Sequence, residues 1–251
     1  MAGAKCKELS DNQTVMTDTP LAGPFATLSL EPLSTVDRVA EELRRSLFEG
    51  EVDPGTPLRE VALAAALGVS RSTVREALGM LVAEGLADRV ANKGTQVRRL
   101  DPEQVRDVCQ ARMVIETAGV RRWNEADDPL RDDVRRALQA FSDLTDTDYT
   151  PAEFTAAHLD IHRALSALTR SERLVAVAES LYAEVRLALA HVDKVRGNAL
   201  EQVHSHAELL SLLEKSDLDA AADELAHHLS GAETSMLEAI TRPEPPTTLT
   251  R

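Results

Sequence analysis

The sequence predicts a mainly α-helical chain with two unlike parts: three helices followed by a β-hairpin, and then an antiparallel bundle of six helices. Apolar residues make up 43% of the 251 residues but aromatic residues only 3%. Leu, Val and Ala must therefore supply the core, which favours packed helices over β-sandwiches. Residues 31–100 carry 10 basic and 11 acidic side chains, whereas residues 101–251 carry 16 and 28 and most of the net charge of −14. We therefore expect two physically different domains.

Composition also excludes several classes of protein. No apolar run approaches the roughly 18 residues of a transmembrane helix, and the N-terminal segment has no apolar signal-peptide core. Two cysteines, Cys6 and Cys109, are too few for a disulfide framework. We therefore expect a cytoplasmic protein that does not act on membranes.

The two ends of the chain show no helical or strand periodicity. We expect residues 1–30 to form a disordered tail, with a packed arm as the alternative, and residues 241–251 to form a C-terminal tail.

Residues 31–100 form the predicted first domain. From Thr35 onward, apolar residues recur every three or four positions and indicate a helix that ends at Gly50. The residues of this apolar stripe are Val36, Val39, Leu43 and Leu47. After a turn, a short helix is predicted over about Arg59–Leu67.

A third helix and a hairpin complete the first domain. Gly68-Val69-Ser70 interrupts the helical pattern, and Ser70 is placed as the N-cap of a helix that begins at about Arg71. Its predicted buried stripe consists of Val74, Ala77, Leu78 and Leu81. Two β-prone segments, 86–90 and 95–99, then flank Asn92-Lys93-Gly94, which is typical of a hairpin turn.

Residues 101–240 form the predicted second domain and show only helical periodicity. Asp101-Pro102-Glu103-Gln104 and Thr150-Pro151-Ala152-Glu153 each combine an N-cap residue, Pro at the first helical position and Gln or Glu at the third, which is a capping box. Breakers delimit six helices, over about 102–126, 129–145, 151–168, 171–193, 198–215 and 217–240. Together these helices predict an antiparallel bundle.

A short helix, a glycine-containing turn and a second amphipathic helix are typical of a helix-turn-helix, and the hairpin that follows supplies a wing. Arg71 and Arg75 lie one turn apart on the polar face of the second of these helices, with Ser72 between them. Arginine can bind guanine O6 and N7 through two parallel hydrogen bonds, and a helix N-terminus with Ser70 suits phosphate. Lys93 at the hairpin tip can reach a groove or the backbone. The arginines alone would also fit a solvated helix face, but the complete order of elements favours DNA binding.

These residues also resemble a known family. The run LREVALAAALGVSRSTVREALGMLVAEGLADRVANKGTQV is similar to the DNA-binding domain of the GntR family of bacterial regulators, and the similarity spans about residues 35–98. The resemblance implies a winged helix-turn-helix that binds a palindromic operator as a homodimer. By motif it implies DNA contacts from Ser70, Arg71, Ser72 and Arg75, and a close approach of the wing at Gly94. One position departs, because the family often has Arg after the Glu that opens the short helix, where this chain has Val61.

Four of the seven histidines occupy inward positions of the predicted bundle. His158 continues an apolar stripe with His162 one turn later, and His206 and His228 lie on apolar faces of the fifth and sixth helices. A lone histidine on such a face is more often a hydrogen-bonded core residue. Four in one bundle favour a metal site, because an i,i+4 pair offers two imidazoles to one ion and further helices can close it. The other three, at positions 191, 204 and 227, are expected at the surface or in linkers.

The bundle resembles the FCD ligand-binding domain of the FadR subfamily, in its shorter, VanR-like six-helix branch, over about residues 102–238. The matching segments are ARMVIETA, HLDIHRAL and SHAELLSLLEKSDLDAAADELAHHL. In that family an Asp, a His four residues later and two further His hold a metal beneath a small-carboxylate effector. The three histidines correspond to His162, His206 and His228, and His158 stands at the Asp position. Asp160 cannot replace it, because two residues along a helix turn the side chain by about 200°.

The resemblance therefore implies a four-histidine metal site with an effector-binding arginine. An all-nitrogen set favours Zn, Ni or Cu over Mn or Mg, and we expect Zn or Ni, with loss of metal binding as the alternative. From the family's Arg-x-x-x-Glu pattern, Arg112 would bind the effector carboxylate. The alternative is a surface ion pair between Arg112 and Glu116, which are one helical turn apart.

These features predict a transcriptional regulator, most simply a repressor, whose operator affinity is controlled by a small carboxylate metabolite. Effector binding would change the placement of the two DNA-binding domains through the segment Arg98–Pro102. Two alternatives stay open. One is a metal-dependent hydrolase or lyase with a DNA-binding appendage, although no general base is evident beside the histidines. The other is a regulator that senses the metal itself.

Overall fold

The computed structural model describes residues 34–190 and 199–241, which form a mainly helical chain with one two-stranded hairpin. The predicted fold class is confirmed. The expected tails over residues 1–30 and 242–251 lie outside the described residues, as does His191. Among the described residues, no helix is both long enough and apolar enough to cross a membrane.

The first part of the chain contains three helices and the hairpin. Their bounds are α1 Thr35–Phe48, α2 Glu60–Leu67, α3 Arg71–Ala83, β1 Ala87–Val90 and β2 Gly94–Val97. The antiparallel register pairs Ala87 with Val97 and Val90 with Gly94. Gly94 has φ +90°, a left-handed conformation that favours glycine at the turn.

Local capping separates α2 from α3, as the sequence predicts. Gly68 ends α2 in the left-handed conformation (φ +67°) and donates its N–H to the Ala64 carbonyl. Ser70 begins α3, and its hydroxyl accepts the Thr73 N–H at 3.1 Å. The predicted buried stripe of α3 is confirmed, since Val74, Ala77, Leu78 and Leu81 are all buried. These residues pack against α1, which presents Val39, Leu43 and Leu47.

Six helices follow. They are α4 Pro102–Val120, α5 Asp128–Leu144, α6 Pro151–Ala167, α7 Glu172–Leu189, α8 Ala199–Glu214 and α9 Leu218–Thr241. Both predicted capping boxes, at Asp101 and Thr150, are present with their reciprocal hydrogen bonds. Thr241, placed by the sequence in the C-terminal tail, is the last residue of α9.

The prediction of one helix over 102–126 is wrong at its C-terminal end. The α-helix stops at Val120, and a 3₁₀ turn covers Trp123–Glu125. The change to i→i−3 bonding begins where the Arg122 N–H bonds to the Gly119 carbonyl at 2.9 Å. This tighter turn places the Trp123 indole in the bundle core, where it is 2% exposed.

Helix α7 connects the two parts of the structure. Leu187 lies in the same apolar cluster as the residues of α1 and α3. The Glu184 carboxylate accepts from Arg98 Nη1 at 3.0 Å, and the Arg186 guanidinium lies 4.0 Å from the centroid of the Phe48 ring. The helical bundle therefore supports the part of the chain with the first three helices and the hairpin through one of its own helices.

Candidate metal centre and DNA-binding surface

Four imidazoles from three helices converge in the core of the bundle. His158 and His162 come from α6, His206 from α8 and His228 from α9, and all four are buried. The Nε2 atom of His158 lies 3.2 Å from Nε2 of His162 and 3.2 Å from Nε2 of His228, and the His162 and His206 Nε2 atoms are 3.3 Å apart. Four nitrogens bound tetrahedrally at zinc distances are about 3.3–3.4 Å apart. These three distances suit a tetrahedral metal ion, and all four ligand atoms lie within 4.8 Å of one another.

Hydrogen bonds behind the imidazoles determine which nitrogen carries the proton. His162 Nδ1 lies 2.7 Å from Glu116 Oε2, and His206 Nδ1 lies 2.7 Å from the Gln202 carbonyl oxygen. Because a carboxylate and a carbonyl only accept, both Nδ1 atoms donate, and both Nε2 atoms carry lone pairs. Two lone pairs facing each other at 3.3 Å repel unless a cation lies between them. The residues therefore fit a metal ion in orientation as well as in spacing.

Burial keeps the imidazoles of His158, His162 and His206 neutral. Desolvation lowers the pKa of His158 and His162 well below 6.5, and it lowers the pKa of His206 to about 4. The neighbouring imidazoles add to this effect at His158, and Arg112 adds to it at His162. Neutral imidazole is the form that binds transition metals. At neutral pH these three imidazoles are therefore in the neutral form that metal binding requires.

Arg112 and Glu116 form a buried pair next to the histidines. Arg112 Nε donates to Glu116 Oε1 at 2.9 Å, and the two side chains are 2% and 0% exposed. The alternative of a surface ion pair is right about the pairing but wrong about its location, because α4 turns this face into the bundle. Burial raises the pKa of Glu116, but the Arg112 guanidinium opposes this effect and favours the carboxylate. Arg112 Nη2 is buried and has no hydrogen-bond partner among the described residues, which leaves a donor for an anion.

Two aromatic residues at this site were not expected from the sequence. The Phe141 ring packs against His158 and His206, with centroid distances of 5.5 and 5.9 Å. The Tyr182 hydroxyl lies 3.2 Å from Glu116 Oε1 and 2.9 Å from the His162 carbonyl oxygen. Their positions on the inward stripes of α5 and α7 predict burial only, so no sequence pattern indicated these contacts.

The residues expected to contact DNA are exposed on one end of α3 and on the wing. Ser70, Ser72 and the two arginines are exposed at the α3 N-terminus, as are Lys93 and Gly94 at the hairpin tip. The Ser70 hydroxyl is already engaged as a helix cap and lies 2.7 Å from the Ser72 hydroxyl. Val61, at the position of the family's Arg, is 62% exposed.

An acidic residue that the sequence did not single out contacts these arginines. Glu60, at the start of α2, accepts from Arg75 Nε at 2.9 Å and from Arg75 Nη2 at 2.7 Å. The nearest Arg71 guanidinium nitrogen is 3.8 Å from the same carboxylate. Glu60 and Arg75 are fifteen positions apart in the sequence, so only the helix-turn-helix geometry brings them together.

Comparison with known proteins assigns both parts of the chain to known domains. The model for bacterial regulatory proteins of the gntR family matches residues 35–97, and the FCD domain model matches residues 107–231. A D-xylose utilization operon transcriptional repressor from Paenarthrobacter nicotinovorans is 27% identical over 199 residues, which cover 78% of this chain and 86% of the relative. The gluconate operon transcriptional repressor of Bacillus subtilis is 36% identical over 111 residues, 44% of this chain and 45% of the relative.

A solved structure is similar to this chain over both of these domains. The crystal structure of a GntR transcriptional regulator from Rhodococcus sp. RHA1 superimposes with a TM-score of 0.67 at 29% sequence identity. The alignment covers 81% of this chain and 98% of the Rhodococcus chain. The similarity therefore includes both the helix-turn-helix and the bundle.

Proposed function

Because the chain belongs to the GntR family of bacterial regulatory proteins and carries an FCD domain, we propose that it is a repressor controlled by a small carboxylate bound beside a metal ion. The family and the relatives are transcriptional regulators, and this sets aside a hydrolase or lyase. Two relatives are named as operon repressors, which supports repression here. A palindromic operator would bind two copies of the chain, one per half-site.

The metal is proposed from the four-histidine cluster. One observation carries the proposal: the Nε2 lone pairs of the neutral His162 and His206 imidazoles face each other at 3.3 Å, and Nε2 of His158 lies 3.2 Å from Nε2 of His162, which are distances that suit a tetrahedral ion. Zn and Ni are the favoured ions, because all four ligands are nitrogen. A bound divalent ion would attract a carboxylate into this buried site.

The effector carboxylate is proposed to bind Arg112. Its Nη2 atom is buried without a partner among the residues described, while its Nε atom is engaged by Glu116. Glu116 also holds His162, so the carboxylate-binding arginine and a metal ligand share one acceptor. A small carboxylate would supply the missing acceptor for the guanidinium.

Helix α7 is proposed to carry the effector signal to the DNA-binding half. Tyr182 contacts Glu116 and His162, and two residues later Glu184 pairs with Arg98 in the segment before α4. A shift of Tyr182 on effector binding would therefore move Glu184, and with it Arg98. Through this linkage, effector binding and operator binding would weaken each other.

A binding assay with the full-length chain tests this function. Duplexes selected by the zinc-loaded protein are followed by fluorescence anisotropy while small carboxylates are added one at a time. We expect one class of carboxylate to release the DNA from the wild type but not from Arg112→Gln. Release by chelation alone, with every carboxylate inactive, would instead identify the metal as the signal. Failure to select any duplex would contradict the DNA-binding function.

A further inference from the structure

Glu60 and Arg75 form a two-point ion pair on the surface expected to contact DNA. The two carboxylate oxygens accept from Nε and Nη2 of Arg75 at 2.9 and 2.7 Å. The pair lowers the pKa of Glu60 and raises that of Arg75, chiefly through these hydrogen bonds. Glu60 is therefore a carboxylate at neutral pH and places a negative charge where the approach of DNA would disfavour one.

The geometry of the Arg75 guanidinium allows Glu60 to hold it without blocking all of its donors. A guanidinium has five N–H donors arranged as two forks, one formed by Nε with one Nη and one formed by the two Nη atoms. Glu60 occupies the first fork of Arg75. The second fork has no hydrogen-bond partner among the described residues and remains available for O6 and N7 of guanine.

On the basis of the DNA-binding function proposed above, we propose that Glu60 is a specificity-determining residue that positions Arg75 for one guanine in each half-site. Held at two points, the guanidinium keeps the orientation that base recognition needs. Ordering a free arginine on binding would cost roughly two- to tenfold in affinity. The carboxylate also repels phosphate, so Arg75 binds less well to DNA without the right base.

The near-neutral charge of the first domain makes the positioning of Arg75 important for DNA binding. Residues 31–100 carry 11 acidic and 10 basic side chains, so general attraction to phosphate is weak. Sequence-specific binding must then come from a few well-placed cations. At 57% exposure, the Arg75 side chain would otherwise be free to bind any nearby phosphate.

A purely structural role of Glu60 predicts a different result. As the first residue of α2, Glu60 also lies at a helix N-terminus, where a negative charge is stabilising. Loss of that contribution would weaken binding to all sequences alike and lower the thermal stability. The positioning role instead predicts a change in base preference at one position.

The test compares base preferences of full-length variants. The wild type, Glu60→Gln and Glu76→Gln each select from the same pool of random duplexes, and affinities are then measured on the selected duplex and on its single-base variants. Glu76 is the matched control, because it is the exposed neighbour of Arg75 on α3, whereas the Nε and Nη2 hydrogen bonds of Arg75 go to Glu60. Both changes remove one negative charge from the same surface.

We expect Glu60→Gln to lose about tenfold in preference for one guanine per half-site and to bind non-specific DNA two- to fivefold more tightly. Glu76→Gln should share only the second effect. Arg75→Gln should lose preference for the same guanine, and adding Glu60→Gln to it should cause no further loss. Unchanged base preferences in Glu60→Gln, or additive losses in the double variant, would overturn the proposal. A wild type that selects no duplex would instead contradict the DNA-binding function itself.

Discussion

Nδ1 of His162 lies 2.7 Å from Oε2 of Glu116, in a part of the bundle where both side chains are fully buried. The other oxygen of that carboxylate accepts from Arg112 at 2.9 Å. A single carboxylate therefore orients a candidate metal ligand and holds the guanidinium proposed to bind the effector. A ligand that binds Arg112 would therefore contact a side chain that shares this carboxylate with His162.

Metal binding is the first prediction. We expect the wild type to bind about one zinc or nickel ion per chain, and His162→Ala to lose this binding, because His162 lies 3.2–3.3 Å from two of the other ligand atoms. Saturating metal at about 1,000 times its Kd should stabilise the wild type by about 4 kcal/mol. Calorimetric titration and thermal unfolding measure both effects. His204→Ala, an exposed site on α8, should behave as wild type, and equal binding by His162→Ala would contradict the site.

Glu116 is expected to affect metal affinity without touching the metal. Glu116→Gln replaces the carboxylate that accepts from His162 Nδ1 with a neutral amide, which is a weaker acceptor and can also turn its NH2 toward the ring, so zinc affinity should fall roughly 10- to 100-fold. The same change leaves Arg112 buried without its counter-charge, which should cost about 3–5 kcal/mol of folding free energy. Adding Arg112→Gln should recover part of that stability but not the metal affinity. Recovery of both would show that Glu116 acts only through the ion pair.

The metal-free protein should lose stability as the pH falls below that of neutral solution. An unfolded imidazole has a pKa near 6.5, whereas burial lowers the pKa of His206 to about 4. As the pH falls below about 6.5, the unfolded state gains protons that the folded state does not, and stability is lost until about pH 4. His206 alone should account for about 3 kcal/mol of this loss.

Denaturant unfolding of the wild type and two variants checks this dependence. His206→Gln should have a shallower loss of stability between pH 6.5 and 4, and the exposed His227→Gln should match the wild type. Stability that is flat across this window would contradict the burial of a neutral imidazole.

Gly119 is expected to be essential for the packing of α4 on α6. A Cβ atom added there would lie 2.0 Å from the Leu165 carbonyl oxygen, which is backbone and cannot move alone. Gly119→Ala should therefore cost several kcal/mol of stability, on the order of a severe overpacking. Gly231→Ala is the matched control in α9, where a Cβ meets no heavy atom within 4 Å. That change should be neutral or stabilising by about 0.5–1 kcal/mol, and equal effects would refute the close approach.

The contact between Glu184 and Arg98 should carry the effector response. Glu184→Gln removes the charge that attracts Arg98 across 3.0 Å but lies outside the metal and carboxylate sites. We expect carboxylate binding to remain within about twofold of wild type, while the fold-change in operator affinity that it causes becomes smaller. Anisotropy with and without effector measures this change. An undiminished response would show that the signal takes another route.

Local patterns in the sequence predicted much of this architecture. Ser70 and Asp101 were expected as N-caps from their own neighbourhoods, and both cap the helices that follow. The inward positions of His158 and His162 followed from helical periodicity, because residues that share a face of a helix are determined by spacing alone. The end of α4 was misplaced, since no local breaker marks Val120, where the α-helix gives way to the 3₁₀ turn that places Trp123 in the bundle core.

Sequence alone determined the order of the elements, the helix-turn-helix with its wing, and the faces on which the four histidines lie. All of these depend on residues within a few positions of one another, where capping and periodicity act. Tertiary structure alone decided that Glu116 is buried against His162 and that Glu60 holds Arg75. Those partners are 46 and 15 residues apart. Both contacts depend on how the helices pack against each other. That packing is determined by the whole core and not by any local run of residues.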